Sequence, residues 1–180
     1  MSPTTRESLL RAATELLDEG GPEGVTLREV GRRSGVSHNA PYKHFVDKEA
    51  LLAAVAAREL AEYATLLGAE DDLGTAMRRY VRRALRFPAR FRLVYGPWTV
   101  DSVELALSAD AAWAALLALV GADQDAARLP AGPPSRLANL IRSVAHGAID
   151  LALAGHLAKG DDPTTPEQLV DDFVAMLPAG

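Results

Sequence analysis

Cysteine is absent from the 180-residue sequence. Its absence excludes disulfides, thiolate zinc sites and cysteine nucleophiles, so nothing in the fold depends on an oxidising compartment. Aromatic residues are also scarce, at 6% of the chain. Hydrophobic residues as a whole reach 48%, which is enough for a sizeable core in one compact unit or in a small domain fused to a larger one.

Signals for membranes and for enzymes are missing as well. The N-terminal residues lack the basic and then apolar layout of a secretory signal, and no apolar run approaches the ~20 residues that span a bilayer. Neither the phosphate-binding G-x-x-x-x-G-K pattern nor the zinc-binding H-E-x-x-H pattern occurs. We therefore expect a cytoplasmic protein that is not an enzyme, has no membrane partner and needs neither a metal nor a cofactor.

Acidic residues exceed basic ones, and the formal net charge is −5. The excess is unevenly distributed along the chain. Residues 1–100 contain 15 Lys and Arg against 13 Asp and Glu, whereas residues 101–180 contain 4 against 11. Because a nucleic-acid interface needs only local positive potential, the net charge does not exclude a polyanionic partner for the N-terminal half.

Apolar residues recur at helical spacing throughout, which predicts an all-α fold. In the first helix this pattern begins at Leu9, and Thr4 with Glu7 forms a capping box at the start of the helix. The segment Gly20-Gly21-Pro22 should end it, because glycine and proline both interrupt helices.

The second predicted helix is short and well delimited. Thr26 and Glu29 form another T-x-x-E capping box, and Gly35 suits the left-handed turn that follows a helix. Ser37 is the predicted cap of a third helix. Gly31, inside the second helix, costs about 1 kcal/mol relative to alanine, which is reasonable if its missing side chain lets the third helix approach closely.

Two short helices joined by a three-residue turn form the layout of a DNA-reading helix-turn-helix, although such pairs also occur in proteins that do not bind DNA. The stretch SHNAPYKHFVDKEALL supplies its polar side chains. His38 and His44 lie about 240° apart around a helix, so they cannot share a metal ion. Asp47 is the predicted cap of the fourth helix rather than a catalytic acid. A short exposed helix with amide, hydroxyl, imidazole and ammonium groups fits phosphate and base contacts, whereas the alternative is a solvated polar face.

The segment TLREVGRRSGVSHNAPYKHFVDKEALLAAV resembles the N-terminal DNA-binding domain of TetR-family transcriptional regulators, and residues 5–55 match that pattern. The resemblance implies phosphate contacts from Thr26, Tyr42, His44 and Lys48. It implies that the groove-facing residues are Ser37, His38, Asn39 and Lys43. Arg28 is included among the predicted DNA contacts. Ala40 and Pro41 stand where small polar residues are often found, so they are predicted to contact thymine methyl groups.

The remainder of the chain is also predicted to be helical. The predicted elements are a linking helix over 47–67, helices over 73–87, between Pro88 and Pro97, and over 99–121, a loop over 122–134, and helices over 135–158 and 165–178. One face of the 73–87 helix carries a stripe of arginines. Such a stripe is compatible with nucleic-acid binding, but ion pairing with the acidic C-terminal half is the favoured interpretation.

Several aromatic residues between Tyr80 and Trp113 form either core or the lining of an apolar ligand cavity. For a cavity beneath the linking helix, the predicted ligand contacts are Met77, Phe91, Tyr95, Trp98 and Trp113. The segments PARFRLVYGP and RSVAHGAIDLALAGHL resemble the WHG class of TetR-family C-terminal domains, but no tryptophan precedes His146-Gly147 here. His146 and Asp150 join the candidate ligand contacts, although a hydrogen-bonded buried pair is the favoured interpretation.

The last two predicted helices carry more apolar surface than one core face can bury. We therefore predict that they pair with their symmetry mates in a four-helix dimer interface. The predicted interface residues are Leu140, Val144, Ala148, Ile149, Leu169, Phe173 and Leu177.

Taken together, the sequence predicts a three-helix helix-turn-helix domain over residues 1–46 and a helical ligand-binding and dimerisation domain over 47–180. The predicted function is that of a homodimeric transcriptional repressor that binds a palindromic operator in double-stranded DNA. A small apolar ligand is expected to release it. The alternative is a helical interaction or structural protein without ligand-controlled DNA binding.

Overall fold

The computed structural model describes residues 4–157 and 163–177. This part of the chain contains nine α-helices and no strand, which confirms the predicted all-α fold. The helices are α1 (Thr5–Gly24), α2 (Leu27–Ser34), α3 (Ala40–His44), α4 (Lys48–Gly68), α5 (Leu73–Arg86), α6 (Pro88–Val94), α7 (Val103–Asp125), α8 (Pro134–Leu153) and α9 (Pro166–Met176).

The N-terminal helix boundaries follow the predicted capping signals. Thr4 and Glu7 form a complete capping box, in which the Thr4 amide donates to Glu7 Oε2 at 2.7 Å. Gly21 has a φ of 68° and interrupts α1, so the helix proper ends where the glycine pair predicted. Asp47 accepts a hydrogen bond from the Ala50 amide at 2.7 Å, which confirms it as the cap of α4.

Later boundaries differ from the predicted ones. α7 begins at Val103 rather than at 99, because the Ser102 hydroxyl accepts from the Leu105 amide and starts the helix there. It continues to Asp125, into the predicted loop. α8 ends at Leu153, and Gly155 follows in the left-handed region with a φ of 70°. Residues 158 and 178, the predicted ends of the last two helices, lie outside the described residues.

The chain divides into two compact units. The first unit contains residues 1–61 and 87–109, and the second contains residues 62–86 and 110–180. The first unit therefore includes α1 to α3, most of α4, α6 and the start of α7. The functional boundary predicted after residue 46 does not coincide with this division and stays a prediction.

In the first unit, α6 packs against α1 through a partly buried ion cluster. The Arg90 guanidinium donates to both carboxylate oxygens of Asp18, at 2.9 and 2.5 Å, and lies 4.0 Å above the Phe87 ring. Its Nη1 atom is 3.6 Å from the carboxylate of Glu59, a residue of α4 that is only 3% exposed. Arg90 thus joins α6 to α1 and α4, and a buried carboxylate gains the positive partner that it needs.

In the second unit, α5, α8 and α9 pack around fully buried residues that include Ile141, Ile149 and Val170. The arginine stripe of α5 makes ion pairs with acidic residues of the same unit. They are Arg78 with Asp171 at 2.9 Å, Arg82 with Glu167 at 3.5 Å, and Arg79 with Glu70. The pairs of Arg78 and Arg82 confirm the predicted ion pairing with the acidic C-terminal half, whereas Arg79 pairs with a residue of the N-terminal half. All three pairs reduce the charge that these arginines could offer to DNA.

α7 corrects the statement that no apolar run is long enough to span a membrane. With 23 residues and a high mean hydropathy, α7 is long and apolar enough to cross a bilayer, even though Asp110 lies within it. Only 17% of its apolar window is buried. A single helix of this length and hydropathy is weak evidence and does not assign the chain to a membrane.

Candidate nucleic-acid interface and regulatory residues

α2 supports the helix-turn-helix. The Thr26 hydroxyl accepts a hydrogen bond from the Glu29 amide at 3.2 Å, so its own O–H remains able to donate to a phosphate. The predicted capping box is only half formed, because the Glu29 carboxylate binds the Arg32 guanidinium at 2.8 and 2.5 Å instead. Arg28 is exposed on the same helix.

The turn after α2 has the predicted geometry. Gly35 has a φ of 69°, in the left-handed region, and its amide donates to the carbonyl oxygens at the end of α2. The Val36 amide donates to the Gly31 carbonyl at 3.3 Å. These bonds fix the direction in which the chain leaves α2 and hence the position of α3.

α3 begins later than predicted. Its N-cap is Asn39, whose side chain makes no capping hydrogen bond, so the predicted cap at Ser37 is wrong. The Ser37 carbonyl instead accepts from the Ala40 amide at 2.9 Å and forms a turn before the helix. Pro41 has no amide hydrogen and suits only the first turn of a helix, which places the start of the regular helix beside it.

Pro41 is buried and does not reach the surface that would face a groove. A Cβ added to Gly31 would lie 2.9 Å from Pro41 Cγ, closer than such atoms normally approach. This distance confirms that Gly31 allows α3 to pack closely on α2. The predicted thymine contact from Pro41 is therefore wrong, and Ala40 is half-buried.

The polar residues of the α3 region lie at the surface. Tyr42 is 52% exposed, and the exposed side chains that accompany it are Ser37, His38, Asn39, Lys43 and His44. The His38 and Tyr42 rings meet edge to face, with their centroids 6.2 Å apart. Phe45, directly after α3, is buried. The short helix thus presents one polar face and anchors the other through Pro41 and Phe45.

Two features flank this face. A recess of about 520 Å³ is lined by Thr26, Arg28, Glu29, Arg32, Val36 and His38. The sequence interpretation did not include Glu29 or Arg32 in the site, although their i, i+3 spacing at the start of α2 could have placed them beside Thr26.

At the start of α4, Lys48 lies 3.7 Å from the fully exposed carboxylate of Glu23, a contact too weak to keep the lysine from a phosphate.

Metal chemistry finds no support in the described ranges 4–157 and 163–177. No group of three or more His, Asp or Glu side chains in them is placed to hold a metal ion. The arrangement offers hydrogen-bond donors and positive charge around a short helix.

The predicted ligand contacts are divided between the two units. Phe91, Tyr95 and Trp98 belong to the first unit, and Met77, Trp113, His146 and Asp150 belong to the second. Met77 and Phe91 are buried, Tyr95 is 40% exposed and both tryptophans are half-buried.

Within the first unit, the Phe91 and Tyr95 rings lie 5.3 Å apart. Trp98 lines a pocket of about 260 Å³ together with residues of α1, α4 and α6, among them Leu52 and Arg92. This volume is just below the range of about 300–1,000 Å³ that is usual for ligand sites.

Within the second unit, the Arg142 guanidinium lies 4.9 Å above the ring of Trp113. Burial lowers the pKa of His146; the charge of Asp150 opposes this shift, and that of Arg142 adds to it to a smaller extent. The imidazole is therefore biased towards its neutral form near neutral pH, which suits hydrogen bonding to a neutral ligand or to its neighbours.

The predicted dimer residues differ in exposure. Ala148 and Ile149 are buried within the chain, at 3% and 0% exposure, so they have almost no area left for a partner. Leu140 is 44% exposed, and Leu151 is 47% exposed on the same side of α8. The remaining members are half-buried: Val144, Leu169, Phe173 and Leu177.

Comparison with known families agrees with this geometry. A model of the tetR family of bacterial regulatory proteins matches residues 9–55. A model described as a tetracyclin repressor-like C-terminal domain matches residues 73–177, more than half of the chain. The chain belongs to the tetR family. The WHG subclass stays a prediction, because that description names no subclass.

Relatives within the tetR family include repressors. Tetracycline repressor protein class C of Escherichia coli is 42% identical over 72 residues, which are 40% of this chain and 33% of that repressor. The match thus spans about a third of the length of the curated tetracycline repressors.

Solved structures of the same fold cover almost the whole chain. A protein of unknown function from Rhodococcus sp. RHA1 has a TM-score of 0.82 and 28% identity, and the match covers 98% of this chain and 96% of that one. SmeT, the repressor of the Stenotrophomonas maltophilia multidrug efflux pump SmeDEF, has a TM-score of 0.67 at 21% identity, covering 97% and 90%. The second likeness shows the fold alone.

The matched family is one of bacterial regulatory proteins, and the relatives of this chain within it include repressors. Members of the family are generally transcription factors without enzymatic activity.

Proposed function

We propose that this tetR-family protein is a homodimeric repressor in the cytoplasm, which binds a palindromic operator and is released from it by a small apolar ligand. The observation that carries the proposal is the exposed polar face of α3. That face is held at a fixed angle to α2 by the contact of Gly31 with Pro41. A rigid helix with base-reading side chains is what recognition in the major groove requires.

A dimer follows from the small size of α3. Five helical residues can read only a few base pairs, so specific binding needs two copies on a symmetric site. The two α3 helices should then lie roughly 34–36 Å apart, or somewhat more if the DNA is deformed. We propose an interface on α8 and α9 that uses Leu140, Val144 and Leu151 with Leu169, Phe173 and Leu177, and leaves out Ala148 and Ile149 because both are buried in the chain.

The ligand is proposed to contact at least one of the two half-buried tryptophans. Trp98 already lines a pocket, and the Arg142 guanidinium lies over the ring of Trp113. A ligand acts only through different affinities for the DNA-competent and incompetent states. A 100-fold loss of operator affinity corresponds to about 2.7 kcal/mol of coupling, which a few rearranged apolar contacts can supply.

The Lys48→Ala variant tests the DNA-binding roles. Removing one phosphate contact should weaken binding to all sequences and reduce the slope of log affinity against log salt concentration by about 1. Asn39→Ala or Lys43→Ala should also change sequence preference, because these side chains face the groove. Fluorescence anisotropy with specific and random duplexes over a salt series measures both effects. If Lys48→Ala altered preference but not salt dependence, its assigned role would be wrong.

The ligand proposal is tested through the tryptophans. Mass spectrometry of the protein purified without added ligand identifies candidate inducers. Such a compound should quench or shift tryptophan fluorescence and release operator DNA. Trp98→Ala or Trp113→Ala, in a dimer that is still folded, should abolish release, and the variant that does so reports which unit holds the ligand. Release that survives both substitutions would place the ligand site elsewhere.

A second candidate function is a tetR-family regulator that binds DNA without ligand control. The buried state of Met77 and Phe91 favours it, because both side chains are already packed as core residues. Purified protein that carries no small molecule, together with a repressor activity that no candidate compound relieves, would support this alternative.

A further inference from the structure

We propose that a groove in the first unit is a second effector site, which takes a small amphipathic anion such as an aromatic or aliphatic carboxylate. The groove is open to solvent and has a volume of about 760 Å³. It lies between the start of α1, the middle of α4 and the start of α7, and it is separate from the residues to which the proposed function assigns DNA or inducer contacts. Its lining residues are Thr4, Arg6, Glu7, Leu10, Arg11, Ala57, Arg58, Ala61, Glu104 and Ser108.

Two guanidinium groups in this groove are available to a ligand. Arg11 on α1 and Arg58 on α4 are both exposed. Within residues 4–157 and 163–177, no hydrogen bond or ion pair joins either side chain to another group. Guanidinium groups bind carboxylates in a bidentate manner, so two of them at one opening favour an anion.

The acidic residues of the groove are already occupied. Hydrogen bonds with Thr4 lower the pKa of Glu7, and the charge of Arg58 contributes a smaller part of the shift. The Glu104 carboxylate accepts from Arg6 Nη2 at 2.5 Å. Glu104 is thus paired with Arg6, and two further arginines, Arg11 and Arg58, remain with the one carboxylate of Glu7, so the groove keeps an excess of positive charge.

Between these polar groups the floor of the groove is apolar. Leu10 is 5% exposed and Ala57 is 1% exposed, and Ala61 extends the same side of α4. The hydroxyl groups of Thr4 and Ser108 stand at the edges. A carboxylate could lie between the guanidinium groups while the apolar body of its molecule covers the floor, which is the usual composition of a small-molecule site.

Arg6 connects this groove to the DNA-reading helix. Its guanidinium lies 5.6 Å from the centre of the Phe45 ring, directly after α3, while it also binds Glu104 at the start of α7. A ligand carboxylate would compete with Glu104 for Arg6. Occupation of the groove should therefore change operator affinity, and operator binding should change ligand affinity by the same factor.

The test is calorimetric titration of the full chain with benzoate, compared with its neutral analogue benzyl alcohol and with inorganic phosphate. Benzoate should bind at least about tenfold more tightly than either, because it alone has both an anionic group and an apolar body. Arg11→Gln and Arg58→Gln should each weaken benzoate binding about tenfold. Arg136→Gln, at an exposed arginine of α8, is the matched control and should leave it unchanged.

Anisotropy titrations of operator DNA with and without benzoate provide the second measurement. Benzoate should shift the operator affinity of the unmodified protein and of Arg136→Gln but not that of Arg58→Gln. Equal binding of benzoate and benzyl alcohol, or of benzoate and phosphate, would overturn the proposal. So would benzoate binding that neither Arg11→Gln nor Arg58→Gln weakens, or an absence of binding. None of these outcomes tests operator recognition by α3, so they could overturn the groove proposal without overturning the proposed repressor function.

Discussion

Specific operator binding should fall about 100-fold or more when Leu140 or Leu151 is replaced by glutamate. Both side chains are close to half exposed on one side of α8, so the single chain should still fold. In a two-fold symmetric interface each substitution occurs twice and places an unpaired carboxylate among apolar groups, at a cost of several kcal/mol. Monomers with one α3 each would then bind DNA with little specificity.

Sedimentation and anisotropy on the same samples would check this prediction. Asn139→Glu is the matched control, because it introduces the same charge on α8 away from Leu140 and Leu151 and can still accept a hydrogen bond from Arg142, as Asn139 does at 2.9 Å. The control should remain a dimer with normal operator affinity. If Leu140→Glu and Leu151→Glu both stayed dimeric, the interface would have to lie outside this side of α8.

Replacing Gly31 by alanine should weaken specific operator binding at least about tenfold. The added Cβ would lie 2.9 Å from Pro41 Cγ, and the rigid proline ring cannot rotate away, so α3 must move relative to α2. Overpacking of this kind costs roughly 1–3 kcal/mol, whereas the better helix propensity of alanine returns about 1 kcal/mol. The net loss of stability should thus be at most about 2 kcal/mol, while the angle of α3 changes.

The comparison of specific with random DNA at one salt concentration distinguishes this mechanism. Gly31→Ala alters no charge, so binding to random duplexes should be almost unaffected. Gly20→Ala serves as the control, because a Cβ at that position would meet no atom within 4 Å. Unchanged specific affinity in Gly31→Ala would mean that α3 tolerates the shift and that its angle is not critical.

Local signals in the sequence predicted the helix-turn-helix well. The Thr4 cap, the left-handed Gly35 and the close approach at Gly31 each depend on a few neighbouring residues, and the structure confirms them. The start of α3 was predicted less well. A helix of five residues is too short for a periodic pattern to locate its start, so the cap was predicted at Ser37 rather than at Asn39. The burial of Pro41 depends on its contact with another helix.

The sequence pattern could not predict which residues from distant parts of the chain pack together. α8 carries apolar residues on two sides, and only its packing within the second unit decides that Ile149 is core and Leu151 is exposed. The two tryptophans were grouped by proximity in the sequence, but they belong to different units. In the same way, Arg11 and Arg58 are 47 positions apart, and no local rule brings their side chains to one groove.

The ion cluster of Arg90 bears on how this DNA-binding region could be exchanged between proteins. Arg90 lies on α6, yet its carboxylate partners Asp18 and Glu59 lie on α1 and α4. A chimaera that took only residues 1–61 would remove the Arg90 guanidinium from beside Asp18 and Glu59, together with the helix that packs on α1. Transferring the helix-turn-helix of this chain to another protein therefore requires residues 87–109 as well, so the transferable unit is discontinuous in the chain.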